Sequence, residues 1–295
     1  MDRDGPRPRV LFLGDSYTEG SGSAAACNYP EVATDALGRI WNRPVHLLNA
    51  GVAGYGPQDA LRLMGFLLDE GYRFDAVVFS LFLENDLTDD LPKTTRRVVA
   101  GTNFRFPESA FLRRFHPLNS RAFRYAVFFE RTRGLLHGGA EAVHRGEGTC
   151  RLEPRRTDAE VPAELEALVQ RRLATSYGAA PRVAVDLVLE AVQGMQQRSA
   201  AAGVPFALAV FPDRLRVDGV LGDRLGIPPE ARPDDRWVDR LRTRFPSLID
   251  ASPALVGGAE NYRPDDTHLN DLGNVRAGRF VGRALAERLA PLPAR

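Results

Sequence analysis

Ser16, in the stretch VLFLGDSYTEG, and His268, in DDTHLN, are residue types that could together move an acyl group. A serine hydroxyl attacks poorly at neutral pH unless a base within hydrogen-bond reach takes its proton, and that base needs an acceptor to fix its ring. His268 can be the base. Asp265, three residues earlier, offers a carboxylate to its other ring nitrogen, and the adjacent Asp266 is an alternative that spacing alone does not rank. Gly54 offers a backbone N–H clear of any side chain and Asn85 a side-chain amide, two donors suited to a developing oxyanion; Gly51 competes with Gly54. Gly14 permits a tight turn that sets Ser16 in the first turn of a helix, where backbone N–H groups favour negative charge. The bland alternative for Ser16 is a helix cap, and Asp15 reads as a turn or helix-start residue.

For these residues to meet, the chain must bring its two ends into one crevice. Short apolar runs separated by helical stretches predict a parallel sheet with crossover helices. The expected strands are Val10 to Leu13, Val45 to Leu48, Ala76 to Phe82, Val204 to Phe211 and Leu248 to Ile249. Helices are expected at Tyr29 to Ile40, at Pro57 to Glu70 and at Val183 to Ala202, with a last one capped by Asn270 or Asp271. In an open α/β sheet ligands bind beyond the carboxyl ends of the strands. Every reactive candidate follows such an end: Gly14-Asp15-Ser16, Asn49 to Gly54, Glu84-Asn85-Asp86, Pro212-Asp213, and the loop from Asp250 to His268.

Four of these segments, GDSYTEG, NAGVAG, ENDLTDD and DDTHLN, resemble in order the blocks of the SGNH hydrolases, the GDSL-type esterases and lipases. The resemblance runs from about Val10 to Leu289, apart from an insertion. It implies a flavodoxin-like three-layer α/β/α sandwich on a five-stranded parallel sheet, with Ser16 as nucleophile, His268 as base and Asp265, through the Asp-x-x-His spacing, as its orienter. It further implies an oxyanion hole of the Ser16 and Gly54 N–H groups and the Asn85 side chain, with no metal or organic cofactor. One position departs from the pattern. Leu83 stands where the family usually has glycine, followed by Glu84, whose side chain is expected to point away from the oxyanion hole.

The whole chain, 1–295, thus reads as a single hydrolase domain carrying a largely helical insertion at about 92–181 that could cap or line the cleft. The insertion is rich in arginine (Arg96-Arg97, Arg113-Arg114, Arg155-Arg156) and in aromatic residues such as Phe111, Phe115 and Tyr125. The expected activity is hydrolysis of a small-molecule carboxylic ester or thioester through an acyl-enzyme. The rivals are transfer of the acyl group to an alcohol or amine, and a non-catalytic binding protein on the same fold.

Composition narrows the classes further. A net charge of +1 over 295 residues lacks the basic excess of a dedicated nucleic-acid binder, and no apolar run approaches the roughly 20 residues of a membrane span. His46, His116, His137 and His144 have no partner spacing that suggests zinc. The charged start MDRDGPRPRV leads directly into a strand, unlike a secretory signal. Cys27 and Cys150 lie far apart and are expected as free thiols, which suits a cytoplasmic protein.

Overall fold

The computed structural model describes residues 7–86, 96–99, 102–105, 117, 120, 122, 126, 150–153, 161–172, 182–228, 236–256 and 258–289. Its strands are β1 (Arg9–Gly14), β2 (His46–Gly51), β3 (Ala76–Phe82), β4 (Arg96–Val99), β5 (Thr102–Arg105), β6 (Phe206–Phe211) and β7 (Ile249–Asp250). Five of them form one parallel sheet in the order β2-β1-β3-β6-β7, while β4 and β5 make a separate antiparallel pair. This is the doubly wound order in which the chain starts near the middle and reverses direction beside β1.

The helices are α1 (Ser16–Glu19), α2 (Tyr29–Ile40), α3 (Pro57–Asp69), α4 (Ala163–Arg172), α5 (Arg182–Ala201), α6 (Arg214–Val217), α7 (Gly219–Arg224), α8 (Arg236–Arg244), α9 (Ser252–Leu255) and α10 (Asp271–Arg288). Successive residues of a strand point to opposite faces, and both faces here are apolar. Val10, Phe12 and Val78 pack with Tyr29, Ala33 and Val281 of α2 and α10. Leu11, Leu13, Val77 and Phe79 pack on the other side with residues of α3, α5 and α8. The result is a three-layer α/β/α sandwich. Burial on both faces is why these strands read as unbroken apolar runs rather than as alternating ones.

The layer formed by α2 and α10 brings the chain ends together. A Cβ at Gly278 would lie 2.7 Å from the Tyr29 carbonyl oxygen, and one at Gly282 would lie 2.5 Å from that of Ala33, so the two glycines let the helix backbones touch. Asn270 caps α10, its Oδ1 accepting the Gly273 N–H at 3.0 Å. His268 lies two residues before that cap, its ring 5.3 Å from that of Tyr17 in α1.

One expectation needs correction. Cys27 and Cys150 form a disulfide, with Cα atoms 5.7 Å apart, and are not free thiols. A separation of 123 residues hides their proximity. It becomes visible only when Asp271, at the start of α10, accepts from the N–H groups of both Ala24 and Arg151, drawing their two segments together. The expectation of a cytoplasmic protein loses the support that free thiols lent it, since disulfides belong chiefly to oxidising compartments. No helix among the described residues is long and apolar enough to cross a membrane.

The stretch 92–181 is described only in part. Its described part contains the β4–β5 pair as well as α4. The aromatic residues Phe111, Phe115 and Tyr125 and the pairs Arg113-Arg114 and Arg155-Arg156 lie outside the described residues.

Candidate active site

β1 ends at Gly14, and Asp15 caps α1 by accepting the Tyr17 N–H on Oδ1 at 2.9 Å. With Asp15 as the cap, Ser16 is the first residue of the helix and its hydroxyl is not needed there. Four residues make a helix too short to stand alone, and α1 is held from outside. The side-chain amides of Asn28 and Asn49 both donate to the Thr18 carbonyl, at 3.2 and 2.8 Å, and Asn28 also reaches the Glu19 carbonyl. Gly51 allows the close approach of β2, because a Cβ there would sit 2.3 Å from the Glu19 nitrogen and 2.5 Å from the Thr18 carbonyl carbon. That backbone contact is a structural reason for Gly51 to lack a side chain.

Ser16 Oγ lies 2.8 Å from His268 Nε2, across 252 residues of sequence. The other ring nitrogen, Nδ1, lies 2.8 Å from Asp266 Oδ2. The expected acceptor, Asp265, is instead half exposed and paired with Arg263 at 3.6 Å. The reason is local geometry. The chain bends at each residue from Asp266 to His268, which brings the Asp266 carboxylate back to the imidazole two positions on. Thr267 turns inward and is buried, leaving Asp266 beside His268. The Arg263 N–H donates to the His268 carbonyl at 2.9 Å, closing the loop at its base.

Electrostatics suit this arrangement. Burial opposes ionisation of Asp266, but hydrogen bonding to His268, its charge, the Thr267 N–H and Arg263 outweigh burial and hold the carboxyl at about 2. Because Asp266 accepts at Nδ1, that nitrogen carries the proton and Nε2 offers its lone pair to the serine hydroxyl.

The loop carrying Asp266 and His268 rests on buried polar groups that sequence reading did not pick out. Burial raises the Tyr17 phenol well above its usual range, with Tyr262, Glu84, Asp15 and Asp213 pushing the same way. Tyr17 therefore stays protonated and donates its O–H to the Thr267 carbonyl at 2.5 Å. Its ring stacks on Phe82 at 3.9 Å and lies 5.3 Å from the His268 ring. From the end of β6, buried Arg214 donates through Nη1 to the carbonyls of Arg263 and Asp266, at 2.8 and 2.9 Å, and pairs through Nε with Asp218 at 3.3 Å. The only sequence signal for Arg214 was its place just after Pro212-Asp213 at a strand end.

The remaining candidates lie on the loops after β2 and β3. Gly54 has φ +79 in the turn closed by the Tyr55 N–H to the Val52 carbonyl, a conformation glycine adopts without strain. The neighbouring Ala53 N–H is taken by the Glu19 carboxylate at 3.0 Å. Asn85 is buried, and its Nδ2 donates to Asp15 Oδ2 at 3.2 Å, which orients the amide beside the residue preceding Ser16. Leu83 needs no glycine-like backbone: among the described residues outside glycine, positive φ is confined to Asn42. Leu83 opens the turn that follows β3, its N–H donating to the Phe211 carbonyl at 3.1 Å and its side chain packing in the core. Glu84 is buried and turns toward the loop of His268, accepting from Thr267 Oγ1 at 3.2 Å.

Among the described residues, no group of three or more His, Cys, Asp or Glu is arranged to hold a metal ion. No family model matches the chain, and no curated protein matches it. Solved structures are similar at low identity. One is described as a G-D-S-L family lipolytic protein from Desulfitobacterium hafniense DCB-2, with 13% identity, 95% of this chain and 100% of that one covered, and a TM-score of 0.43. Another is the lipase Lip_vut3 from a goat rumen metagenome, with 12% identity, 94% and 97% covered, and a TM-score of 0.49. A third is the psychrotrophic esterase EstA from a Pseudoalteromonas species, with 13% identity, 92% and 93% covered, and a TM-score of 0.42.

Proposed function

We propose that this protein is a serine hydrolase of carboxylic esters, with Ser16 as nucleophile, His268 as general base and Asp266 as the group that orients the imidazole. The single observation that carries this is the 2.8 Å contact between Ser16 Oγ and His268 Nε2. Neither residue needs the other for the fold: Asp15 caps the helix in place of Ser16, and Asn270 caps the helix that follows His268.

In the first half-reaction the Ser16 oxygen bonds to the ester carbonyl carbon while its proton passes to His268 Nε2. Asp266, ionised at neutral pH, stabilises the imidazolium that forms. The carbonyl oxygen becomes an oxyanion, for which the Ser16 and Gly54 N–H groups and the Asn85 amide are the proposed donors. The bond from Asn85 Nδ2 to Asp15 fixes the plane of that amide next to the nucleophile. Collapse breaks the bond to the alcohol oxygen, which leaves with the proton from His268. A water molecule then attacks the acyl-enzyme, His268 takes its proton and returns it to Ser16 Oγ, and the carboxylic acid departs.

The test is hydrolysis of p-nitrophenyl acetate together with labelling by a fluorophosphonate. Wild-type protein is expected to turn over the ester and to be labelled at Ser16, and Ser16→Ala to do neither. A folded wild-type protein that resists the probe, or a Ser16→Ala variant with wild-type turnover, rejects the assignment.

A further inference from the structure

Glu84 and Thr267 join two parts of the site that lie 183 residues apart in sequence. Glu84 immediately precedes Asn85, the proposed side-chain donor to the oxyanion, and Thr267 immediately precedes His268, the proposed base. Both side chains are buried, Glu84 at 1% and Thr267 at 4% exposure, so water competes little for the bond between them.

The backbone on each side of this bond is tied down. On the Asn85 side, the Leu83 N–H is held in the sheet by the Phe211 carbonyl, and the Asp86 carboxylate accepts the Phe82 N–H at 2.7 Å, folding the turn back on its own strand. On the His268 side, the Thr267 carbonyl accepts from Tyr17 and the Asp266 carbonyl from Arg214. These last two bonds act on main-chain carbonyls, and Tyr17 and Arg214 lie on the short helices α1 and α6 that follow β1 and β6. The Glu84 carboxylate, reaching from the end of β3, grips the loop through the Thr267 side chain instead.

We infer that Glu84 is a positioning residue that acts through the Thr267 hydroxyl, holding the turn of Asn85 and the loop of His268 in one register so that oxyanion donor and base address the same carbonyl. This rests on the functional reading above. It also gives the departure at Leu83-Glu84 a purpose: with the Leu83 N–H held by the Phe211 carbonyl at the start of the turn, the next side chain is buried and reaches the base loop. A shift of about 1 Å between reacting groups can cost about a hundredfold in rate. A hydrogen bond one residue from each partner is placed to prevent such a shift.

The experiment is a double-mutant cycle on kcat and KM for p-nitrophenyl acetate, with the Tm of every variant measured. Thr267→Val and Glu84→Leu are each expected to lower kcat by about ten- to a hundredfold, with KM within about twofold of wild type. Thr267→Ser, which keeps the hydroxyl, is expected to recover most of the loss. The double variant is expected to be no slower than the slower single variant, because both remove the same contact. Losses that multiply in the double variant, or a folded Thr267→Val protein with wild-type kcat, overturn the inference. Should Glu84→Leu fail to fold, the comparison of Thr267→Val with Thr267→Ser carries the test, and equal kcat in those two overturns it. Ser16→Ala separates this inference from the reading it rests on. Wild-type turnover in Ser16→Ala overturns both, whereas an inactive Ser16→Ala beside a fully active Thr267→Val overturns this inference alone.

Discussion

Asp266 and His268, two positions apart on a bent loop, face the same side, so that Oδ2 of one meets Nδ1 of the other at 2.8 Å while Asp265 turns out to Arg263. On the proposed mechanism the two neighbouring carboxylates therefore do different work. Asp266→Asn is expected to lower kcat by about three to four powers of ten, since an amide in that place favours the wrong imidazole tautomer. Asp265→Asn is expected to stay within about threefold of wild type. Steady-state kinetics on p-nitrophenyl acetate compares the two, and a larger loss in Asp265→Asn would reverse the assignment.

The pH dependence of stability follows from the same carboxyl. Asp266 is held at about 2, below its ordinary value of 3.8, so it binds fewer protons folded than unfolded at intermediate acidity. Its contribution to stability is fully present above about 4 and is lost as pH falls toward about 2. The stability difference between wild type and Asp266→Asn should accordingly shrink over that window. Urea unfolding at a series of pH values measures it, and a difference constant from about pH 5 to about pH 2 would contradict the assigned ionisation.

Gly51 is expected to tolerate no side chain. In Gly51→Ala the added Cβ meets the backbone of Thr18 and Glu19 and must displace α1, and Ser16 with it. A loss of about 1–3 kcal/mol in stability is expected from such overpacking, together with a fall in kcat. Denaturant melts and kinetics report the two effects, and a Gly51→Ala variant with wild-type values of both would show that β2 and α1 can separate at little cost.

Arg214 is expected to matter for stability as much as for rate. Replacing it with methionine keeps much of the stem but leaves buried Asp218 without its cation and two loop carbonyls without their donor. Removing one partner of a buried ion pair typically costs about 3–5 kcal/mol. Arg214→Met should fall in that range by chemical denaturation, and Asp218→Asn should destabilise less, because a neutral amide still accepts from the guanidinium. The reverse order would place the main load elsewhere.

Sequence periodicity locates the sheet well because each central strand is buried on both faces, so its apolar run is continuous and its ends are marked by the chemistry that follows. Ala76–Phe82 and Tyr29–Ile40 fall where the pattern puts them. Ser16 and His268 were legible as a pair because few other serines or histidines follow a strand end in so distinctive a setting. Asp266 was not, since two adjacent aspartates differ only in which way a bent loop turns them, and that is set by Thr267, Tyr17 and Arg214 from distant parts of the chain. The disulfide was hidden for the same reason. Nothing near Cys27 or Cys150 in sequence marks them as neighbours, and it is Asp271 that gathers their segments.

The Cys27–Cys150 bond has a topological consequence. It spans the whole stretch between β3 and Cys150, so the polypeptide from Cys27 to Cys150 is a closed covalent ring. A protease that cuts once inside that ring opens it without parting the molecule. The amino-terminal piece, bearing Ser16, and the carboxy-terminal piece, bearing His268, would travel together on a non-reducing gel and come apart only when a thiol is added.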